Sequence, residues 1–343
     1  MLTTLCHALL LLGTGVLASQ GDPTQEDSSV TREDWFSPGA RLQAWHVSGG
    51  NDATALELPR VRLSADGAPG EVLRYKLQLA FEDGPEVKDA ELDLVLLPGI
   101  FALSIGRRKL PTYREFIASS GRLALVERSI LHDPFDGVRG IGVALESEEV
   151  AGSGWSYVIG GWTDETSRAR FGTSTPPAAS DRFTLALAGR ISYGTSESRG
   201  FDELDLEGGP LRWDIGASAH HSLANDTIGA PGRTREAVDL WLATYHFSAM
   251  GSVHMAQAHG EGGGGVWDGV GAQQTVSYVW RGVFAPAMRV AAFFPRQGAR
   301  QHELTIGASI LSPRRTHGLK LVFDASMLSN NEQRARALFQ LSL

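Results

Sequence analysis

The sequence predicts an all-β chain closed into a transmembrane antiparallel β-barrel of about sixteen strands. Three observations point there. Segments of roughly ten residues alternate apolar and polar side chains, the length and period of a tilted membrane strand. An export leader precedes them. The connections between segments alternate short with long, as turns on one side of a membrane and loops on the other would.

The leader comes first. "MLTTLCHALLLLGTGVLASQGDPT" has an apolar core from Leu5 to Leu12 and a small-residue site at Val16-Leu17-Ala18, which fits a signal peptide over 1–18. The apolar run is shorter than the roughly 20 residues that span a bilayer as a helix. The only cysteine, Cys6, lies inside it, so the mature chain has neither a disulfide framework nor a cysteine metal site. A polar lead over 19–37, acidic from Asp22 to Asp34, separates the leader from a barrel over 38–343.

The strands follow. In "LRYKLQLAF", Leu73, Tyr75, Leu77, Leu79 and Phe81 share one face, and Arg74, Lys76, Gln78 and Ala80 the other. "AELDLVL" sets Leu92, Leu94 and Leu96 against Glu91 and Asp93; "FTLALAGRISY", "LTIGASI", "LKLVFDASM" and "RALFQLSL" repeat the scheme. The 3.6-residue period appears only as a short turn around Tyr113 to Ala118. Short connections are expected at Gly67–Gly70, Pro98–Gly99, Ser248–Ser252, Gly282–Pro286 and Ser312–Gly318. Long ones are expected at Arg107–Val138, Asp164–Ser180, Ser222–Arg235 and His259–Trp267. The acidic stretch Ser196 to Gly209 is long where a short turn is due, and its acids Asp202, Glu203, Asp205 and Glu207 are expected outside the barrel. A soluble sandwich also alternates, burying one face on a partner sheet; the leader and the loop asymmetry favour the barrel.

Composition narrows function. The chain has 343 residues, 42% hydrophobic, with 40 glycines and a net charge of −8. That balance and the lack of a basic tail argue against nucleic acid as a partner. His220-His221, His254 and His259 fit no metal-binding frame, Gly216-Ala217-Ser218 is no nucleophile elbow, and Asp133, Asp136 and Gly137 lack the spacing of a calcium loop. Gly262–Gly265 has no Lys-Ser/Thr after it and reads as a loop tip. No cofactor, metal or catalytic residue is expected.

The basic residues are more informative. Arg60 and Arg62 share a face in "PRVRLS", as do Arg74 and Lys76 on the next strand. A charge on the lipid face costs about 2–4 kcal/mol at the midplane, so these four cations should line the lumen.

The segment "GRRKLPTYREFIASSGRLALVERSILHDPFDGVR" (106–139) carries a resemblance. Gly106, Lys109, Pro111, Glu115, Ser119-Ser120, Arg122-Leu123, Glu127-Arg128-Ser129 and Arg139-x-x-Gly142-Val143 resemble the signature of the phosphate-selective porin O/P family. Arg107, Arg108 and Thr112 depart from it, and the chain ends in Leu343 rather than Phe. The resemblance implies a sixteen-stranded trimeric porin whose third external loop, about 107–138, folds inward as a constriction. It implies Arg107, Lys109, Arg114, Arg122 and Arg128 on the solute path with Arg60, Arg62, Arg74 and Lys76, and Glu115, Glu127 and Arg139 as loop anchors. The expected function is a passive channel for small hydrophilic solutes with a modest preference for anions, phosphate among them. The setting would be the outer membrane of a Gram-negative-type bacterium, with lipid around the wall and two further copies in a homotrimer. The alternatives are a non-conducting structural or adhesion barrel and a barrel-borne hydrolase.

Overall fold

Alternation gives each strand a polar and an apolar face, and closing the sheet puts every polar face on one side. The structure, a computed structural model, describes residues 35–49, 52–82, 84–132, 135, 139–147, 154–164, 184–195, 202–223, 232–259, 268–312, 318–329 and 332–343. The expected leader and residues 19–34 of the polar lead lie outside these, as do Asp133, Asp136, Gly137 and the tetraglycine.

Among the described residues there are sixteen strands. The first eight are β1 (Ser37–Gly49), β2 (Asp52–Gly67), β3 (Leu73–Ala80), β4 (Glu86–Leu97), β5 (Phe101–Lys109), β6 (Arg139–Ser147), β7 (Trp155–Asp164) and β8 (Thr184–Gly194). The rest are β9 (Arg212–Ser222), β10 (Gly232–Thr244), β11 (Phe247–His259), β12 (Gly269–Tyr278), β13 (Phe284–Pro295), β14 (Gln301–Leu311), β15 (Leu319–Leu328) and β16 (Gln333–Ser342). Each pairs with its neighbours in sequence, and β1 pairs antiparallel with β16 from Arg41↔Ser342 to Gly49↔Arg334, which closes the barrel. Ala40 and Leu343 exchange two further backbone hydrogen bonds at 3.0 and 2.9 Å. Closure leaves no edge strand, so every ladder is satisfied within the wall.

The faces sort as the alternation requires. Leu63, Leu77, Leu92, Ile105, Val143, Leu187, Ile306, Phe323 and Phe339 stand exposed on the outside. A bulge in β2 at Leu58-Pro59, between the pairs Gln43↔Arg60 and Trp45↔Glu57, shifts the outward set from Leu56 and Leu58 to Leu63. Proline donates no ladder bond, so a bulge is where a strand tolerates it. On the rim that carries the chain ends, Trp155, Tyr193 and Trp213 pack in sequence, tilted and then edge-on, with ring centroids 4.7 and 5.6 Å apart, a start of the interfacial aromatic girdle of membrane barrels.

Several expected boundaries move. Ser248–Ser252 lies within β11, and the turn before it is Tyr245-His246, both at positive φ (44° and 71°), the two-residue geometry that matches strand twist. The third loop on the far rim starts at Leu110, because β5 runs on through Lys109; Arg107 and Lys109 are therefore strand residues.

Candidate functional site

The largest departure from a bare barrel is the chain between β5 and β6. Residues 110–126 are buried almost without interruption, although they belong to a connection. They lie inside the wall, and the polar groups of both explain why they stay there.

The loop is tied to itself first. A single helical turn, α1 (Arg114–Ile117), leaves its last carbonyls without helical partners. Lys109 Nζ donates to the carbonyls of Phe116, Ile117 and Ala118 at 2.7, 3.1 and 3.0 Å. Glu115 accepts from the backbone N–H and hydroxyl of Ser129 at 2.7 and 2.9 Å, joining the outgoing and returning limbs. Arg128 donates to the carbonyls of Glu115 (2.9 Å) and Ala118 (2.8 Å). His132, facing Phe116 at 6.1 Å, is held neutral: burial and then Arg128 pull its pKa down to about 3.

The wall then holds the loop. Buried backbone groups need partners, and inward side chains supply them. Lys320 donates to the carbonyls of Gly121 and Leu123 at 3.1 and 2.8 Å, and Val126 N–H donates to Asp324 at 2.9 Å. Arg289 reaches the carbonyls of Glu127 and Arg128 at 2.7 and 3.0 Å while paired with Glu303 at 2.7 Å. Ile130 N–H donates to Glu303 at 2.7 Å. Across the lumen, Arg114 pairs with Asp214 at 3.0 Å, and its N–H donates to Asp239 at 3.2 Å; burial lowers the Arg114 pKa to about 10. Arg41 reaches Ser119 at 2.9 Å. Close approach also needs a missing side chain: a Cβ on Gly271 would sit 2.6 Å from Leu131 and 2.7 Å from Phe135.

The acidic connection between β8 and β9 corrects an expectation. Glu203 and Asp205 are not outside the barrel but buried, and only the side chain of Glu207 is well exposed. Glu203 accepts from the N–H of Ala124 at 2.8 Å, so this segment touches the loop. Burial outweighs screening as the fate of these charges.

Each of the predicted cations has a partner. Arg60 pairs with Glu127 at 2.8 Å, linking β2 to the loop. Burial pushes the Glu127 carboxyl up, but Arg60 outweighs it and holds its pKa below the ordinary value. Arg62 pairs with Glu82 (3.3 Å), Arg74 with Asp93 (3.9 Å), and Lys76 with Glu91 and Asp89 (3.4 and 3.6 Å). Arg139 pairs with Asp89 (2.9 Å) and Arg122 with Asp202 (3.2 Å). Arg107 pairs with Glu86 (3.8 Å) and donates to the carbonyls of Val87 and Lys88, all on β4.

No protein-family model matches the chain, and no curated protein does. Among solved structures it resembles OmpF of Salmonella typhi in complex with daunomycin, with a TM-score of 0.60 and 11% identity over 91% of this chain and 98% of that one. It resembles an anion-selective porin from Comamonas acidovorans (TM-score 0.58, 13% identity, 91% and 100%). It also resembles OmpT, an outer membrane protein of Vibrio cholerae, in its trimer form (TM-score 0.56, 9% identity, 90% and 99%). Its structural neighbours are outer-membrane porins. At these identities the likeness shows the fold, a sixteen-strand porin barrel.

Sequence reasoning missed the residues of this porin-like barrel that grip the loop from the wall: Arg190, Asp214, Asp239, Arg289, Glu303, Lys320 and Asp324. Asp239 takes both guanidinium nitrogens of Arg190 at 2.6 and 2.7 Å. A signal existed. Each charge sits in an alternating strand, where the cost of a lipid-facing charge assigns it inward.

Proposed function

We propose that this chain is a passive outer-membrane channel for small hydrophilic solutes, assembled as a homotrimer, with a modest preference for anions and phosphate among those that pass. The solute path runs beside the loop, along β3 and β4. One observation carries the reading. On β3 the side chains of Arg74 and Lys76 are 41% and 48% exposed, while their partners Asp93, Glu91 and Asp89 are 20%, 11% and 5% exposed. The cationic ends stand in water and the carboxylates lie recessed behind them, so a solute meets positive charge first. Local charge at a constriction governs selectivity, and charges beyond a Debye length of about 8 Å are screened. Pairing keeps the preference modest. The resemblance in 106–143 and the porin neighbours support the same reading.

Reversal potentials in a salt gradient test it. The protein should favour anions, and Arg74→Ala with Lys76→Ala should move the potential toward cations. A cation-selective channel, or one indifferent to both changes, breaks the assignment. A second reading, a non-conducting barrel, is favoured by the bonds from loop to wall on β1, β2, β8–β10 and β12–β16; its mark is silence in planar bilayers.

A further inference from the structure

Two strands on the chain-end rim can be joined by two residues, as Tyr245 and His246 join β10 and β11. In the β8–β9 connection, residues 202–206 are largely buried, and the described stretch 202–208 is fastened at its own rim. Asp205 accepts from the N–H groups of His246 (2.8 Å) and Gly208 (2.9 Å) and pairs with Arg212. The carbonyl of Glu203 accepts from the hydroxyls of Ser248 (2.6 Å) and Ser277 (3.1 Å). These bonds do not involve the far-rim loop.

The other side of the same short segment grips that loop. Ala124 N–H donates to Glu203 Oε2 at 2.8 Å, Glu203 N–H donates to the carbonyl of Arg122 at 3.3 Å, and Arg122 pairs with Asp202 at 3.2 Å. Leu204 packs in one apolar cluster with Ala124 and Leu125 of the loop and with Val279, Ala285 and Leu311 of the wall. Glu203 Oε1 is buried with no hydrogen-bond partner, which leaves the contact short of fully satisfied.

We propose that residues 202–208 are a latch that enters from the chain-end rim and holds the far-rim loop across the lumen, with Glu203 as its positioning residue. One side is built into the wall, and the other rests on the two hydrogen bonds of Glu203, the Arg122–Asp202 ion pair and the packing of Leu204 with Leu206 beside it. Release at that side leaves the tip of the loop, 119–126, on its wall bonds alone, from Arg41, Ser309, Lys320, Asp324 and Gln340, and so loosens it beside the path. The effect on conduction rests on the channel reading above; the contact itself does not.

The test separates the two. In a Cys6→Ser background, Ala124→Cys places a thiol at the buried contact, and a water-soluble maleimide reports its exposure in the detergent-folded, heat-modifiable protein. Glu203→Ala with Leu204→Ser should speed labelling by about tenfold or more, the scale of losing a buried hydrogen bond and its packing. The same pair of changes should raise single-channel conductance, and Glu203→Gln, which keeps an acceptor for Ala124, should restore slow labelling when Leu204 is retained. If the double variant fails to fold, Arg122→Cys with Asp202→Cys, bridged by a short bis-maleimide, takes its place: the bridge should form readily and suppress conductance fluctuations. Faster labelling with silence in bilayers from every form leaves the latch standing and overturns the channel. Equal labelling with and without the latch residues, or failure of the bridge to form in folded protein, overturns the latch.

Discussion

The two halves of the barrel wall use the same chemistry for different ends. On β12 to β16 and β1 the inward residues are sealed: Thr305, Ser309, Lys320, Gln340 and Gln43 are buried to within one percent of completely, and much of their hydrogen bonding goes to the loop. On β3 and β4 the inward charges pair mostly with one another, Arg74 with Asp93 and Lys76 with Glu91 directly across the ladder, and their cationic ends reach water. A charge buried against a loop is structural, because removing it strands a partner without solvent. A charge paired at a wet wall is cheap to remove and is left to act on what passes.

The sealed half should therefore break hardest. Arg289 is buried, paired with Glu303 and donating to two loop carbonyls. Arg289→Ala leaves Glu303 buried without its cation, a change that costs about 3–5 kcal/mol. Urea unfolding of the detergent-folded protein should show it, and an unchanged midpoint would mean that the loop does not depend on this strand.

Lys320→Met should do less. It keeps the length and apolar stem of the side chain but leaves the carbonyl of Leu123 without its Lys320 donor and that of Gly121 with Gln340, worth about 1–3 kcal/mol in the same assay. In the wet half, Arg74→Ala with Lys76→Ala should cost under about 1 kcal/mol, since water screens both pairs, while moving the reversal potential. Equal stability losses in the two halves would erase the distinction between them.

Much of the fold was legible because it is a local property. The phase of "LRYKLQLAF" or "LKLVFDASM" is fixed by the next residue but one, and the price of charge in lipid decides which phase faces in. The inward loop after β5 was legible through the residue pattern of 106–139. The wall residues that fasten it were not. Arg60 meets Glu127 across 67 residues, and Val126 meets Asp324 across 198; no spacing rule reaches so far. The lumen-facing phase of Lys320 and Asp324 marks them as inward charges without saying that a loop backbone arrives to meet them. Glu203 and Asp205 misled for the opposite reason. An acidic connection reads as solvated, and only the closed barrel shows that it turns inward.

The smallest effect, and the sharpest on the seam between the halves, is that of pH on the latch. Burial pushes the Glu203 carboxyl above the ordinary glutamate value of 4.5, and Glu115 adds to it. The Ala124 N–H, Arg289 and Arg128 oppose that shift without cancelling it, and Lys320 faces the same carboxyl. Asp202 shifts the same way, by burial against the pull of Arg122. A carboxyl raised in the closed state binds more protons there than in the open state, so closure is favoured below 4.5 and weakens as pH rises through the raised value. Labelling of Ala124→Cys, normalised to an exposed control thiol, should thus be slower at about pH 5 than at about pH 8 beyond the intrinsic thiol chemistry. Glu203→Gln cannot titrate and should flatten most of that difference, leaving the smaller part carried by Asp202. A pH response of the opposite sign, or one that persists whole in Glu203→Gln, would place the titrating group elsewhere in the lumen.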